Sequence, residues 1–259
     1  MTPSVTPGVT QGGQTAIVLR PDVRLPDWRV VSAPRARAAV AANLAATGKA
    51  ARFAGLAAAS DAVWRRLLGL HVELGRAPSA DQIAKSVGLP CASVSAALAD
   101  LASRDIIVRD SAGRIVAAYP FSQPATGHLV SLGGHTLNAM CAIDALGIGA
   151  MIGRDVAIAS SCRRCGAAIG IATEGRGSAI ARASPAGPVV WASTAYESHA
   201  ALSLCRATAF FCDEDHFAAW RTAEGAALPG HLLALDEALQ FARAIFGPFL
   251  AEDGRPRGR

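Results

Sequence analysis

Nowhere in its 259 residues does the chain carry an apolar run of the roughly 18–20 residues that a membrane span requires. That absence argues against an integral membrane protein, and no membrane partner is expected. The first residues, Met1 to Gln14, are polar and rich in Thr, Pro and Gly. They lack the charged start and apolar centre of a secretory signal, so a cytoplasmic location is the expectation. Lysine is nearly missing: Lys49 and Lys85 are the two among 25 Lys and Arg residues. The net charge of +5 is therefore carried by arginines scattered along the chain, which is weak footing for a nucleic-acid partner. There is no GxSxG elbow, no phosphate loop and no GxGxxG, which removes the common hydrolase, NTPase and dinucleotide-binding readings. No second CxxC and no closely spaced HxxxH accompany Cys162-x-x-Cys165, so a four-ligand zinc site is not legible. What is present is a composition of 51% hydrophobic and 17% charged residues, that of a globular protein with a sizeable core.

Four segments follow from the patterning. Residues 1–59 read as an N-terminal extension, partly flexible, with one short strand at Ala16–Leu19 and Ala-rich helix over 35–59. Residues 60–122 carry a winged-helix-like pattern. A helix over Asp61–Leu74 is stopped by Gly75 and Pro78, and Ser79-Ala-Asp-Gln82 is a capping box that opens a second. A third helix follows Pro90, burying Val94, Leu98 and Leu101, and two strands flank Asp110-Ser-Ala-Gly113. The exposed start of that third helix offers Cys91, Ala92, Ser93, Ser95 and Ala96, none of them a usual reader of base edges. Packing is a better account of this segment than sequence-specific DNA binding. Residues 123–250 alternate strands and helices without a βαβ rhythm, and residues 251–259 read as a disordered tail. The expected helices there run over Thr136–Leu146, Tyr196–Leu204, a short stretch capped by Asp213, and from His231 or Leu232 to Phe246. The expected fold class is α+β, a winged-helix-like three-helix domain followed by a mixed domain of helices and strands.

Six cysteines stand at positions 91, 141, 162, 165, 205 and 212. In a reducing compartment most are free thiols, and free thiols invite a chemical or metal-binding reading. Cys91 and Cys212 read equally well as small core residues. Cys141 and Asp144 stand three positions apart among apolar neighbours, on one face of the expected helix. A carboxylate in such surroundings keeps its proton to higher pH than usual. A thiol beside a proton carrier suits the holding of a soft metal and the protonation of what leaves it. Cys205 lies at the entry to the apolar run Ala207–Cys212, with Arg206 beside it to favour a thiolate. Cys162 and Cys165 form half a zinc knuckle or a redox pair, or pack as ordinary thiols. His71, His128, His135, His199, His216 and His231 show no ligand spacing.

Met140-Cys-Ala-Ile-Asp-Ala-Leu146 resembles the active-site helix of the organomercurial (alkylmercury) lyases. Ser203-Leu-Cys-Arg-Ala-Thr-Ala-Phe-Phe211 is similar to the segment that carries that family's second catalytic cysteine, and Ser161-Cys-Arg-Arg-Cys-Gly166 to a turn between them. Ser60–Tyr119, with Gly75-Arg-Ala-Pro-Ser79, resembles the family's N-terminal winged-helix-like domain. The resemblance covers about residues 60 to 250. It departs at Asn138 and Met140, where aromatic residues are usual, and at Cys165, where Thr is common. The resemblance implies that Cys141 and Cys205 bind mercury as substrate and product and that Asp144 carries the proton. It implies carbon–mercury bond protonolysis of R–Hg⁺ to R–H and Hg(II), with Cys141 most simply the first thiol to capture mercury. No organic cofactor is called for. Small exogenous thiols deliver and remove mercury, and mercuric reductase is the implied protein partner. Two other readings stay open at this point: a winged-helix regulator that senses mercury or thiols without breaking bonds, and a zinc-stabilised binding module built on Cys162 and Cys165.

Overall fold

The computed structural model describes residues 9–11, 14–225 and 227–251; residues 1–8 of the extension and 252–259 of the expected tail lie outside them. Near the N-terminus, β1 (Val9–Gln11), β2 (Gln14–Arg20) and β3 (Val23–Leu25) form a small antiparallel sheet. The strand read at Ala16–Leu19 lies inside β2. The Arg20 guanidinium on β2 donates to Asp61 (2.7 Å) and to the carbonyl of Pro248 (2.6 Å), which ties this sheet to the chain's far end. The Ala-rich stretch forms α1 (Pro34–Thr47), with proline at its first position, and a short α2 (Lys49–Phe53).

The three-helix pattern appears as α3 (Ala58–Leu74), α4 (Ala80–Val87) and α5 (Cys91–Ser103). Local chemistry sets their ends. Ser79 Oγ accepts from the Gln82 N–H (3.2 Å) and Gln82 Oε1 from the Ser79 N–H (2.9 Å), the expected capping box. Val94, Leu98 and Leu101 are buried as expected. The hairpin is β4 (Ile107–Arg109) and β5 (Ile115–Ala118).

That hairpin is not a free wing. Its strands are one end of an eight-stranded antiparallel sheet that continues through β6 (Phe121–Ser122), β7 (Leu129–Leu132) and β8 (His135–Ala139). The stretch expected as one helix over Thr136–Leu146 is in fact two elements, β8 and then α6 (Ala142–Ile152). The cause is the pair Gly133-Gly134, both at positive φ (54° and 90°), which closes a two-residue hairpin loop and pairs Leu132 with His135. Beyond α6 the large sheet ends with β9 (Ala157–Ser161), β10 (Ala168–Glu174) and β11 (Ala179–Ser184); β11 was not expected.

A second sheet holds β12 (Val189–Ser193) at its centre. It is flanked by β13 (Ala209–Phe211), which follows α7 (Leu204–Ala207), and by β14 (Gly230–Ala234). The helix expected over Tyr196–Leu204 is reduced to a 3₁₀ turn at Ala200–Leu202, so Cys205 sits inside α7. Asp213 Oδ1 accepts from the His216 N–H (2.8 Å) and caps α8 (Glu214–Trp220) as the sequence suggests. The final helix, α9 (Leu235–Phe246), begins later than expected because His231–Ala234 pair with β12 instead.

The molecule is thus α+β, with a helix-rich N-terminal part and a C-terminal part of helices and antiparallel sheets around one core. At its centre lies α6. Ala142 through Gly149 are all buried, so this helix has no solvent face. It packs closely on α9: a Cβ added at Gly147 would lie 2.3 Å from Phe246 Cδ2. Among the described residues no single helix is long and apolar enough to cross a membrane.

Candidate active site

Cys141 is the residue before α6, in extended conformation (φ −156°), and Asp144 lies in the first turn. They therefore meet as helix cap and first turn, not as two positions on a helix face. Cys141 Sγ lies 2.6 Å from Asp144 Oδ2, and Cys205 Sγ lies 3.7 Å from the same oxygen. Ligand atoms of all three lie within 4.8 Å of one another. Their exposures are 2%, 3% and 5%, so the cluster is closed to bulk water. The three residues singled out in the sequence are thus brought together, although Cys205 comes from a different element.

Burial decides the protonation of this cluster. It raises Asp144 to about 6, against the opposing hydrogen bond of Cys141 and the charge of Lys49. It also raises Cys141 well above the ordinary thiol value, reinforced by contact with Cys205 and by the Asp144 charge. A helix N-terminus ordinarily favours thiolate, but burial beside an acid and a second thiol outweighs it here. For Cys205 the Cys141 hydrogen bond acts to lower the pKa. Burial and the charge of Asp144 prevail over it, and the thiol ends raised. The resting site is accordingly one that holds protons on sulfur and has a carboxylate ready to accept them.

Two cavities meet at Cys205 and Thr208. One is small, about 30 Å³, and reaches Cys141, Asp144, Lys49, Tyr119 and Phe246. The other is a wider groove of about 530 Å³, reaching Met140, Pro124, His128, Arg163 and Leu202. Cys205 lines both, whereas Cys141 lines only the small one.

Several residues here were not picked out as site residues from the sequence. Lys49, from the extension, lies with its Nζ 5.5 Å from the Tyr119 ring and 5.6 Å from Phe246, and its charge acts on both Asp144 and Cys205. Asp105 accepts from the Tyr119 hydroxyl (3.1 Å) and from the Ala200 N–H (3.2 Å), which fixes the chain leading into α7. No local motif announces either residue, because each reaches the site across long sequence separations. The exposed face of α5 is formed by Cys91, Ala92, Ser93, Ser95 and Ala96, as the sequence implied.

Two thiols and a carboxylate closing on one point in an apolar interior are a donor set suited to a soft, thiophilic metal. Comparison with known proteins agrees. Residues 121–247 match the MerB family, alkylmercury lyase. A curated alkylmercury lyase of Staphylococcus epidermidis is 34% identical over 120 residues, which is 46% of this chain and 53% of that protein. The chain thus spans about half the length of that curated relative. A crystal structure of the mercury-bound form of MerB2 superposes with a TM-score of 0.66 at 26% identity, covering 85% of this chain and all of that one. Over residues 121–247, just under half of its length, the chain is similar to the alkylmercury lyase family.

Proposed function

We propose that this protein is an organomercurial lyase that cleaves the carbon–mercury bond of R–Hg⁺ by protonolysis, giving R–H and Hg(II), in the service of mercury detoxification. The observation that carries the reading is the convergence of Cys141, Cys205 and Asp144 within 4.8 Å in a buried pocket. Mercury is the substrate's own metal, and the reaction needs no organic cofactor.

Substrate arrives as R–Hg⁺ on a small thiol. Cys205, which faces the groove, takes mercury first; this reverses the order implied by the sequence resemblance, in which Cys141 leads. The incoming thiol leaves with the Cys205 proton. Cys141 then adds as second sulfur donor, and its proton passes to Asp144 across the 2.6 Å contact. Two sulfurs push electron density onto mercury and thence onto its carbon. Asp144 delivers the proton to that carbon as a general acid, the C–Hg electron pair forms the new C–H bond, and Hg(II) remains between two thiolates. Burial supplies the acid's strength of purpose: a carboxylate at the ordinary value would surrender its proton too readily to hold it for the carbon. Small exogenous thiols remove Hg(II), and mercuric reductase is the protein partner that fits the product. In this reading residues 123–250 form the catalytic unit, residues 60–122 its winged-helix-like neighbour, and the enzyme works in the cytoplasm.

The test is incubation with a phenyl- or methylmercury salt and excess thiol, with gas chromatography of the headspace. Benzene or methane should appear catalytically, carry one deuterium when the reaction is run in D₂O, and vanish with Cys141→Ser. Hydrocarbon no faster than in a thiol-only control would overturn the assignment.

A further inference from the structure

A second cluster of metal-ligating side chains lies outside the site just described. Cys162, Cys165, Cys212 and His216 place their ligand atoms within 4.8 Å of one another. We propose that these four residues form a structural Cys₃His zinc site that staples the β9–β10 turn to the segment joining β13 and α8.

The spacings within the cluster already match an ion of that kind. With Zn–S near ~2.3 Å and Zn–N near ~2.0–2.1 Å, a tetrahedron has S···S edges of about 3.8 Å and S···N edges of about 3.6 Å. Cys165 Sγ and Cys212 Sγ are 3.8 Å apart, and Cys162 Sγ and His216 Nδ1 are 3.6 Å apart. The S···S distance is nearly twice that of a disulfide, about 2.05 Å, so these are thiols held at the separation a shared ion needs.

The backbone is arranged to suit. Cys162 closes β9, and its carbonyl accepts from the Gly166 N–H (2.9 Å), making the tight Cys-x-x-Cys-Gly loop. The second pair, Cys212 and His216, is spaced Cys-x₃-His across the N-terminus of α8, where the Asp213 cap fixes the first turn. Two ligand pairs on separate elements, each locally rigid, are how small zinc sites are commonly built. Cys162 and Cys212 are buried while Cys165 is exposed, so the ion sits at the surface and is open to exchange.

The site would also reach the reaction centre indirectly. Within the loop, the Arg163 N–H donates to the Phe210 carbonyl (3.0 Å) and its guanidinium to the Arg206 carbonyl, the residue after Cys205. An ion at the knuckle therefore steadies the strand and helix that present Cys205.

Elemental analysis of the full-length protein, purified under thiol protection from zinc-supplied cells, tests the proposal. About one zinc per chain is expected. Cobalt replacement should give the intense visible bands and near-ultraviolet sulfur-to-metal charge transfer of a tetrahedral thiolate site. Cys165→Ser, at an exposed position, and His216→Ala should each lose most of the zinc while circular dichroism shows a folded chain. Cys141→Ser should keep it, which separates this site from the lyase cluster. Folded wild-type protein that holds no zinc and gives no cobalt spectrum on anaerobic titration would overturn the proposal, as would a Cys165–Cys212 disulfide in the isolated protein.

Discussion

Asp144→Asn should stabilise the protein while removing its turnover. The carboxyl is raised from 3.8 to about 6, chiefly by burial. Between about pH 4 and about pH 6 the unfolded chain has released this proton while the folded chain retains it, so stability falls as pH rises through that window. At about 1.4 kcal/mol per pH unit, the displacement amounts to roughly 3 kcal/mol, all of it in place above about pH 6. Asparagine is nearly isosteric and carries no such penalty. Its stability advantage over wild type should be near zero at pH 4, grow through pH 5, and level off at up to about 3 kcal/mol by pH 7. The attraction of Lys49 for the ionised carboxylate is already part of that displacement and needs no separate allowance. Urea unfolding followed by fluorescence of Trp64 and Trp191, both buried, gives the comparison at each pH. A stability difference that stays flat across this range, or that favours wild type increasingly as pH rises, would refute the argument that Asp144 is a buried, proton-holding acid.

Lys49→Met removes a charge that lowers the pKa of both Asp144 and Cys205. The rising limb of the rate of organomercurial capture should therefore move to higher pH, and an unmoved or acid-shifted limb would show that Lys49 does not act on the thiol. Gly147→Ala drives a methyl group into Phe246 where α6 crosses α9, and a loss of about 1–3 kcal/mol is expected from urea titration. A neutral effect there would mean that the two helices can part at little cost.

The parts of this fold that were legible were those written in local chemistry. The Ser79–Gln82 box, the Asp213 cap and the Val94, Leu98, Leu101 stripe each depend on residues within a turn or two. Thr136–Ala139 was misread because its apolar residues fit either period over so short a run, and only pairing with β7 and β6 decides for strand. His231–Ala234 failed for the same reason, β12 being 40 residues earlier in the chain. Cys141 and Asp144 could be found from their spacing, and Cys205 from its place in a recognisable segment. Lys49 and Asp105 could not, since their partners lie in distant elements. The pairing of Cys212 with His216 was present in the sequence but mixed two ligand types, so a search for matched pairs passed over it.

The small cavity beside Cys141 and Asp144 draws part of its wall from Asn43, Thr47, Lys49 and Tyr119, all of which precede the stretch 121–247 that matches the family. A fragment trimmed to that stretch would keep both thiols and the acid yet leave them facing solvent. Water entering there would hydrate the carboxylate and return it toward ordinary acidity, so the shortened polypeptide could still scavenge mercury but would be a poor proton donor. Whoever engineers a minimal version of this molecule must retain the helices ahead of residue 60, because dryness at the reaction centre is a property they help to supply.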